Sequence, residues 1–410
     1  MDSESAAISP SLTLHLGESR YDRQERLSWW DQARLSQAKV LVVGAGALGN
    51  EVVKNLALVG LGSIVVVDLD TVETSNLARC IFFRPEDEGK PKATVLAQRA
   101  ASVNSNIDVF GIVADIRSFG TGVALRADVI IGALDNREAR LYCNRLAARV
   151  GRPWVDGAIE ALSGVARVFH PPNECYECTL TEDDWHNLAF RQSCRLLSRD
   201  DLIAGKVPTT ASTSSIIAGF EVQEAIKILH RDREGVRPLS GALVIDGANN
   251  DAYPLTYPVN PDCLAHHFYE DPIVLKAQGV SAKSIVEAAW RPVPTGEITT
   301  VELTDDHVAH WFCPNCNTRT EVGKSASLLS WGESTCPDCG DTRQPTFLTT
   351  IEVPGPNAEL PLASLGVRPD EILPVRRGFA ERYVWIQSVD ERLPIGWGSL
   401  AEANPRQLHD

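Results

Sequence analysis

No stretch of eighteen apolar residues occurs in this 410-residue chain, so no membrane-spanning helix is readable in it. The first twenty residues have neither a basic start nor an apolar core, and a secretory leader is not expected. Basic residues are the minority, 39 against 54 acidic. The resulting net charge of −15 argues against a broad surface that tracks nucleic-acid phosphates. Neither a nucleic acid nor a membrane is therefore expected as a partner. A pocket for one nucleotide remains open, since it needs only a few backbone amides and two or three cations. No internal repeat and no low-complexity tract is visible. With 44% apolar and 23% charged residues, the composition is that of a globular protein of two or three domains.

Cysteine is not scarce. There are ten, and six of them stand in CxxC pairs: Cys175 with Cys178, Cys313 with Cys316, and Cys336 with Cys339. Metal sites in a reducing, cytoplasmic setting explain this pattern better than the disulfide framework of a small secreted domain.

Residues 1–19 are small and polar and read as a flexible arm, and 20–38 as a short segment with an amphipathic helix. Lys39–Val43 (KVLVV) is a buried strand. GAGALG follows at Gly44–Gly49, then a helix ending at Gly60, then a second strand, SIVVVDLD. Further strands are expected at 107–113, 127–134 and in PWVDGAI, with helices at 90–103 and 136–150. This alternation predicts an α/β fold with a doubly wound, mostly parallel sheet. Residues 171–207 are polar and cysteine-bearing. A helix is expected over about 210–230, with Ile216, Phe220, Ile226 and Leu229 facing the core, and a strand at 242–246. Residues 271–410 read as a separate β-rich module with a helix near 281–290.

GAGALG between a strand and a helix fits GxGxxG. Gly44, Gly46 and Gly49 let the backbone approach a phosphate at a helix N-terminus. Asp68 and Asp70, about twenty residues on, are placed to meet ribose hydroxyls. Alone, this pattern also suits a nicotinamide-dependent dehydrogenase. A dehydrogenase has no need of RYDRQ (20–24), DLDTVETSNLAR (68–79), GKPKA (89–93) and ALDNREAR (133–140).

With these linked motifs, residues 20 to about 265 resemble the enzymes that activate ubiquitin-like proteins. That family includes the ThiF/MoeB-type sulfur-carrier adenylyltransferases. The resemblance implies a Rossmann-like adenylation domain over 20–270 that uses ATP and Mg²⁺. It assigns the triphosphate to Arg79 and Lys92, the ribose to Asp70, phosphate orientation to Asn76, and Mg²⁺ to Asp135, beside Asn136. Asp135 could instead cap the following helix. Arg23 resembles the family's arginine that reaches in from a partner subunit, which implies a homodimer. Where the family usually has Gln after the arginine, this chain has Cys80.

The resemblance also implies that Cys175 and Cys178 are completed by a second pair after the long helix. NPDCLAHH stands there, offering Cys263 with His266 or His267; the CxxC spacing favours His266 for a Cys₃His zinc site. On spacing alone, Cys313, Cys316, Cys336 and Cys339 form a four-thiolate zinc ribbon over 311–341. Cys194, in FRQSCRLL between Arg191 and Arg195, occupies the place of the catalytic cysteine in eukaryotic-type activating enzymes, and nearby cations favour a thiolate. The leading expectation is ATP-dependent activation of a ubiquitin-like protein, with a thioester on Cys194 and transfer to a conjugating enzyme. The alternatives are sulfur-carrier adenylation without a thioester, a dehydrogenase, or an inactive adaptor.

Overall fold

The computed structural model describes residues 19–185, 208–291, 297–387 and 392–398. Cys194 and almost all of the 1–19 arm lie outside the described residues. The first helix, α1 (Gln32–Gln37), is shorter than the expected amphipathic helix. Asp31 caps it by accepting from the Arg34 backbone N–H, and residues 20–30 form turns instead.

The strands β1 (Lys39–Val43), β2 (Ser63–Asp68), β3 (Asp108–Val113), β4 (Val129–Gly132) and β5 (Trp154–Glu160) are parallel; β6 (Ser163–Phe169), β7 (Gly241–Asp246) and β8 (Asp251–Leu255) continue antiparallel. The eight-stranded order is β3-β2-β1-β4-β5-β6-β7-β8. Helices α2 (Ala47–Val59), α3 (Lys92–Val103), α4 (Gly122–Leu125), α5 (Arg137–Arg149) and α6 (Ala211–Leu229) cover the two faces. Strand alternation divides the core. Val40, Val42, Ile64 and Val66 pack towards α2 and α6, whereas Leu41, Val43, Val65 and Val67 pack on the α5 side. This is why the strands read as continuous apolar runs: a parallel sheet is buried on both faces.

Helix α6 corrects one expectation. Ile216 is 49% exposed, while its neighbour Ile217 is 1% exposed and in the core with Ala218, Val222, Ala225 and Ile226. Ile226 is in the core as expected and Phe220 and Leu229 pack against it, so only Ile216 is misplaced; Glu221, a charged residue, also sits on the inward face.

A second sheet follows. Its strands are β9 (Ile273–Leu275), β10 (Thr299–Cys313), β11 (Thr318–Ser325), β12 (Gln344–Val353), β13 (Ile372–Arg377) and β14 (Ala380–Ile386), in the order β11-β10-β13-β14-β9 with β12 also on β10. Helix α7 (Ala282–Ala289) packs on it. Its fusion to the first sheet is buried and specific. Asp370 receives two hydrogen bonds from Arg126, at 2.6 and 2.8 Å, and a third from Trp385 Nε1 at 2.8 Å. Ile372, Trp385 and Trp397 enter the same apolar cluster as Leu41 and Val43.

Candidate functional site

The strand order reverses between β1 and β4, and doubly wound sheets bind ligands in the crevice beyond the strand ends at that point. The glycine loop after β1 and the turn after β4 meet there. Gly44 has φ +105°, and a Cβ on it would lie 2.3 Å from the Ala133 carbonyl oxygen. A Cβ on Gly49 would collide with the Gly44 carbonyl, whereas one on Gly46 would meet nothing within 4 Å. The first and third glycines thus close the loop, and the middle one, at the N-terminus of α2, faces open space.

The acidic pair at the end of β2 divides its work. Asp68 accepts from the backbone N–H groups of Ala45 and Asp70, both at 2.7 Å. Burial, partly offset by these bonds, pushes its pKa up. Asp68 therefore ties β2 to the glycine loop. The Asp70 side chain is 56% exposed and pairs with Lys92 Nζ at 2.9 Å. Lys92 begins α3 and its side chain is only 12% exposed. Desolvation opposes its charge, yet Asp70, Asp68 and Asp135 outweigh that and raise its pKa. This is a cation fixed among three carboxylates.

Asp135 follows β4 and is exposed. Asn136 is the residue that caps α5, accepting from the Ala139 N–H at 2.8 Å, and its amide reaches Asp135 at 3.3 Å. The capping role considered for Asp135 is thus filled by its neighbour, and the Asp135 carboxylate faces outward. A hard cation with phosphate partners suits such a donor.

The remaining expected residues are less converged. Asn76 is buried, with its oxygen accepting from the Glu73 N–H at 2.9 Å. Arg79 is half-buried and donates to the Ser75 carbonyl at 3.1 Å. Arg20 donates to the Val103 carbonyl, and Arg23 is exposed. Cys80 is buried beside this region, and burial raises its thiol to about 11, which disfavours the thiolate. Cys143 is buried and its thiol is pushed up further.

Two metal-competent clusters are assembled. Cys175, Cys178, Cys263 and His266 bring their donor atoms within 4.8 Å of one another, as do Cys313, Cys316, Cys336 and Cys339. A tetrahedral zinc with Zn–S bonds of about 2.3 Å places its sulfurs about 3.8 Å apart. The observed separations are 3.8 Å (Cys175–Cys178), 3.7 Å (Cys175–Cys263), 3.6 Å (Cys313–Cys339) and 3.9 Å (Cys316–Cys336). His266 Nε2 is 3.2 Å from Cys178 Sγ, whereas His267 turns away to the Tyr383 hydroxyl. None of the nine described cysteines is in a disulfide.

Sequence reading missed a buried charged group behind the site. Asp156 bonds both Arg140, at 3.0 Å, and Arg167, at 2.9 Å, and it is fully buried. Glu221 from α6 lies against Gly157 without a well-formed hydrogen bond on either oxygen. The signal was present: Asp156 interrupts the apolar strand PWVDGAI, and Glu221 falls on the apolar stripe of α6. Burial, reinforced by Asp156, holds the Glu221 pKa well above its usual 4.5. An acid neutralised in the folded state contributes no penalty below pH 4.5. Stability is lost as pH rises from there towards the raised value, because only the unfolded chain ionises freely. Glu221→Gln should therefore flatten the fall in thermal midpoint between pH 4.5 and 8; parallel curves for the two proteins would contradict this.

A cavity of about 950 Å³ opens at the opposite ends of the strands, by Lys39, Ser63 and Asp108, and is separate from this site. No helix among the described residues is long and apolar enough to cross a membrane.

Residues 21–265 match the profile of the ThiF family. The SAMP-activating enzyme E1 of Haloferax volcanii is 32% identical over 266 residues, covering 62% of this chain and 91% of the relative. The sulfur carrier protein adenylyltransferase of Thermus thermophilus is 32% identical over 247 residues, 57% of this chain and 83% of the relative. The SUMO-activating enzyme subunit 2 of Dictyostelium discoideum is 34% identical over 166 residues, 40% of this chain and 23% of that longer protein. Among solved structures, E. coli MccB with ATP superposes with a TM-score of 0.51 at 23% identity, over 62% of this chain and 75% of that one; this likeness concerns the fold.

Proposed function

The chain belongs to the ThiF family, and on that premise we propose that it adenylates the C-terminal carboxylate of a small ubiquitin-like or sulfur-carrier protein, with ATP as the adenylyl donor. The observation that carries this reading is the Asp70–Lys92 pair beside the outward Asp135 carboxylate, at the crevice where Gly46 leaves open space. The activities for which its relatives in Haloferax and Thermus are named support it.

In the step, a carboxylate oxygen attacks the α-phosphorus. A new O–P bond forms, the bond to the bridging oxygen breaks, and pyrophosphate leaves with the electron pair. Negative charge grows on the phosphate oxygens, and fixed cations that need no reorganisation stabilise it best. Lys92 is such a cation. Arg79 is a second, once it exchanges the Ser75 carbonyl for a phosphate. The Asp70 oxygen not bound to Lys92 accepts from the ribose, and Asn76 braces the turn that carries Arg79. Asp135 would hold Mg²⁺, which when bound supplies charge neutralisation at the phosphates. Arg23 from a second copy completes the site, so the working unit is a homodimer.

We extend the reading to Cys194. Its thiolate attacks the acyl carbon, AMP departs, and the thioester passes to a conjugating enzyme. The activating enzymes among the relatives favour this step, and the sulfur-carrier adenylyltransferases favour a stop at the acyl-adenylate. Both cysteine clusters are assigned structural zinc. The test is ATP–pyrophosphate exchange with candidate small β-grasp proteins, alongside non-reducing gels. Exchange that Cys194→Ala retains, with loss of a thiol-sensitive adduct, supports transfer. An acyl-adenylate without any adduct in the unmodified enzyme leaves sulfur-carrier activation. Exchange absent with every partner overturns both.

A further inference from the structure

Arg140 stands on the first turns of α5, five residues after Asp135, and is buried. Its guanidinium makes three kinds of contact. Nε donates to Asp156 at 3.0 Å; one terminal nitrogen donates to the Gly157 carbonyl at 3.0 Å, and the same nitrogen donates to the Leu134 carbonyl. Leu134 is the residue immediately before Asp135. Its carbonyl fixes the plane of the peptide that carries Asp135. On the far side, Asn136 is locked as the α5 cap and touches the Asp135 carboxylate. The exposed acid is thus held from both flanks, although nothing large packs on it.

We propose that Arg140 is a positioning residue for the Asp135 carboxylate, clamped by Asp156 so that the turn after β4 keeps one geometry towards a nucleotide-bound divalent cation. The inference rests on the adenylation reading of the site. It goes beyond that reading by giving the buried guanidinium a task at a residue it does not touch with its own charge. Asp156 is fully buried and could serve as a purely structural ion-pair partner. The asymmetry of its two arginines separates the alternatives. Arg167 bonds the other Asp156 oxygen at 2.9 Å and lies over the Tyr176 ring, 5.9 Å from its centroid. Each arginine can be removed and leave the carboxylate paired with the other. Neither variant strands an unpaired buried charge, the costly case for a buried ion pair. Only Arg140 grips Leu134.

The cation itself demands tight placement. Outer-shell groups that orient a metal-ligating side chain typically contribute about 10–100-fold to metal affinity. The full-length Arg140→Met and Arg167→Met variants are therefore compared with the unmodified protein by calorimetric binding of an ATP analogue with a methylene between the α- and β-phosphates, titrated across Mg²⁺ concentrations and also in EDTA. Arg140→Met is expected to raise the Mg²⁺ concentration for half-maximal tightening by about 10-fold. Its metal-free binding should stay within about two-fold, and Arg167→Met should match the unmodified protein in both respects. Arg140→Lys, which keeps one donor towards Leu134, should fall between; it is read in place of Arg140→Met if that variant does not fold. Equal effects from the two arginines, an unshifted Mg²⁺ dependence, or equal weakening without metal would overturn the proposal. An unmodified protein that binds no magnesium–nucleotide at all overturns the adenylation reading first, and this inference with it.

Discussion

Lys92→Met should lower ATP–pyrophosphate exchange by about 10²–10³-fold, the size expected when one preorganised group facing developing charge is removed. The expectation is large because Lys92 is not a loose surface cation. Its ammonium is mostly buried, sits 2.9 Å from Asp70, and is flanked electrostatically by Asp68 and Asp135. Deleting it does two things at once. The triphosphate loses a fixed positive partner, and the three carboxylates around it lose their compensation, so an anion entering the crevice meets net repulsion. Both effects act on phosphate, so KM for ATP should rise and kcat should fall. Lys92→Arg keeps the charge but not the point geometry of an ammonium, and should retain more of the rate. Adding Asp70→Asn to Lys92→Met should recover part of the KM change by removing one uncompensated charge. A loss below ten-fold in Lys92→Met would place the triphosphate elsewhere.

Much of this site was legible because its parts are local in sequence. The apolar strand, the glycine turn and the helix after it occupy Lys39–Val59, and each obeys a short-range rule: an apolar run for a doubly covered strand, glycines where backbone meets backbone, a helix N-terminus beyond. The strand order then brings Asp70, Lys92 and Asp135 to one crevice. What sequence reading could not supply is of two kinds. One is phase. Helix α6 carries apolar residues on more than one side, and it is Ile217, not Ile216, that faces the sheet, together with a buried Glu221. The other is long-range pairing. β10 shares its length between β11, β12 and β13, and Asp370 finds Arg126 across 244 residues. No spacing rule reaches that far. The network of Arg140, Asp156 and Arg167 fails for a related reason: each charge, read alone, belongs on a surface, and only the assembled sheet shows that both arginines pair with the one buried aspartate.

Stripping metal from the two cysteine clusters should have unequal consequences, and the difference follows from what surrounds each. Zinc analysis should return about two ions per chain, one for each tetrahedral donor set. Beside the β10 pairings, the Cys313/Cys316/Cys336/Cys339 ribbon has a small apolar cluster, with Val308, Trp311 and Leu329 as its buried members among the described residues. Structural zinc contributes about 10–16 kcal/mol of binding free energy in small metal-dependent folds. Three buried side chains at about 1.5–3 kcal/mol each do not replace that. Cys313→Ser should therefore unfold the ribbon locally, seen as new protease cleavage within 311–341, with exchange activity largely kept. The Cys175/Cys178/Cys263/His266 cluster sits within the adenylation half. Between its first two cysteines, Tyr176 packs edge-on against Trp154 and Phe169, and its N–H donates to Asn144 on α5. Beyond His266, the Tyr269 N–H donates to the Arg149 carbonyl at the end of the same helix. Loss of a metal here should loosen both anchors on α5, which carries Arg140 and follows directly on the turn that holds Asp135. Cys175→Ser should thus lose one zinc and most of the exchange activity together. If exchange survives in Cys175→Ser while its zinc is gone, the first cluster does not support the nucleotide crevice, and its place beside α5 has no consequence for the chemistry.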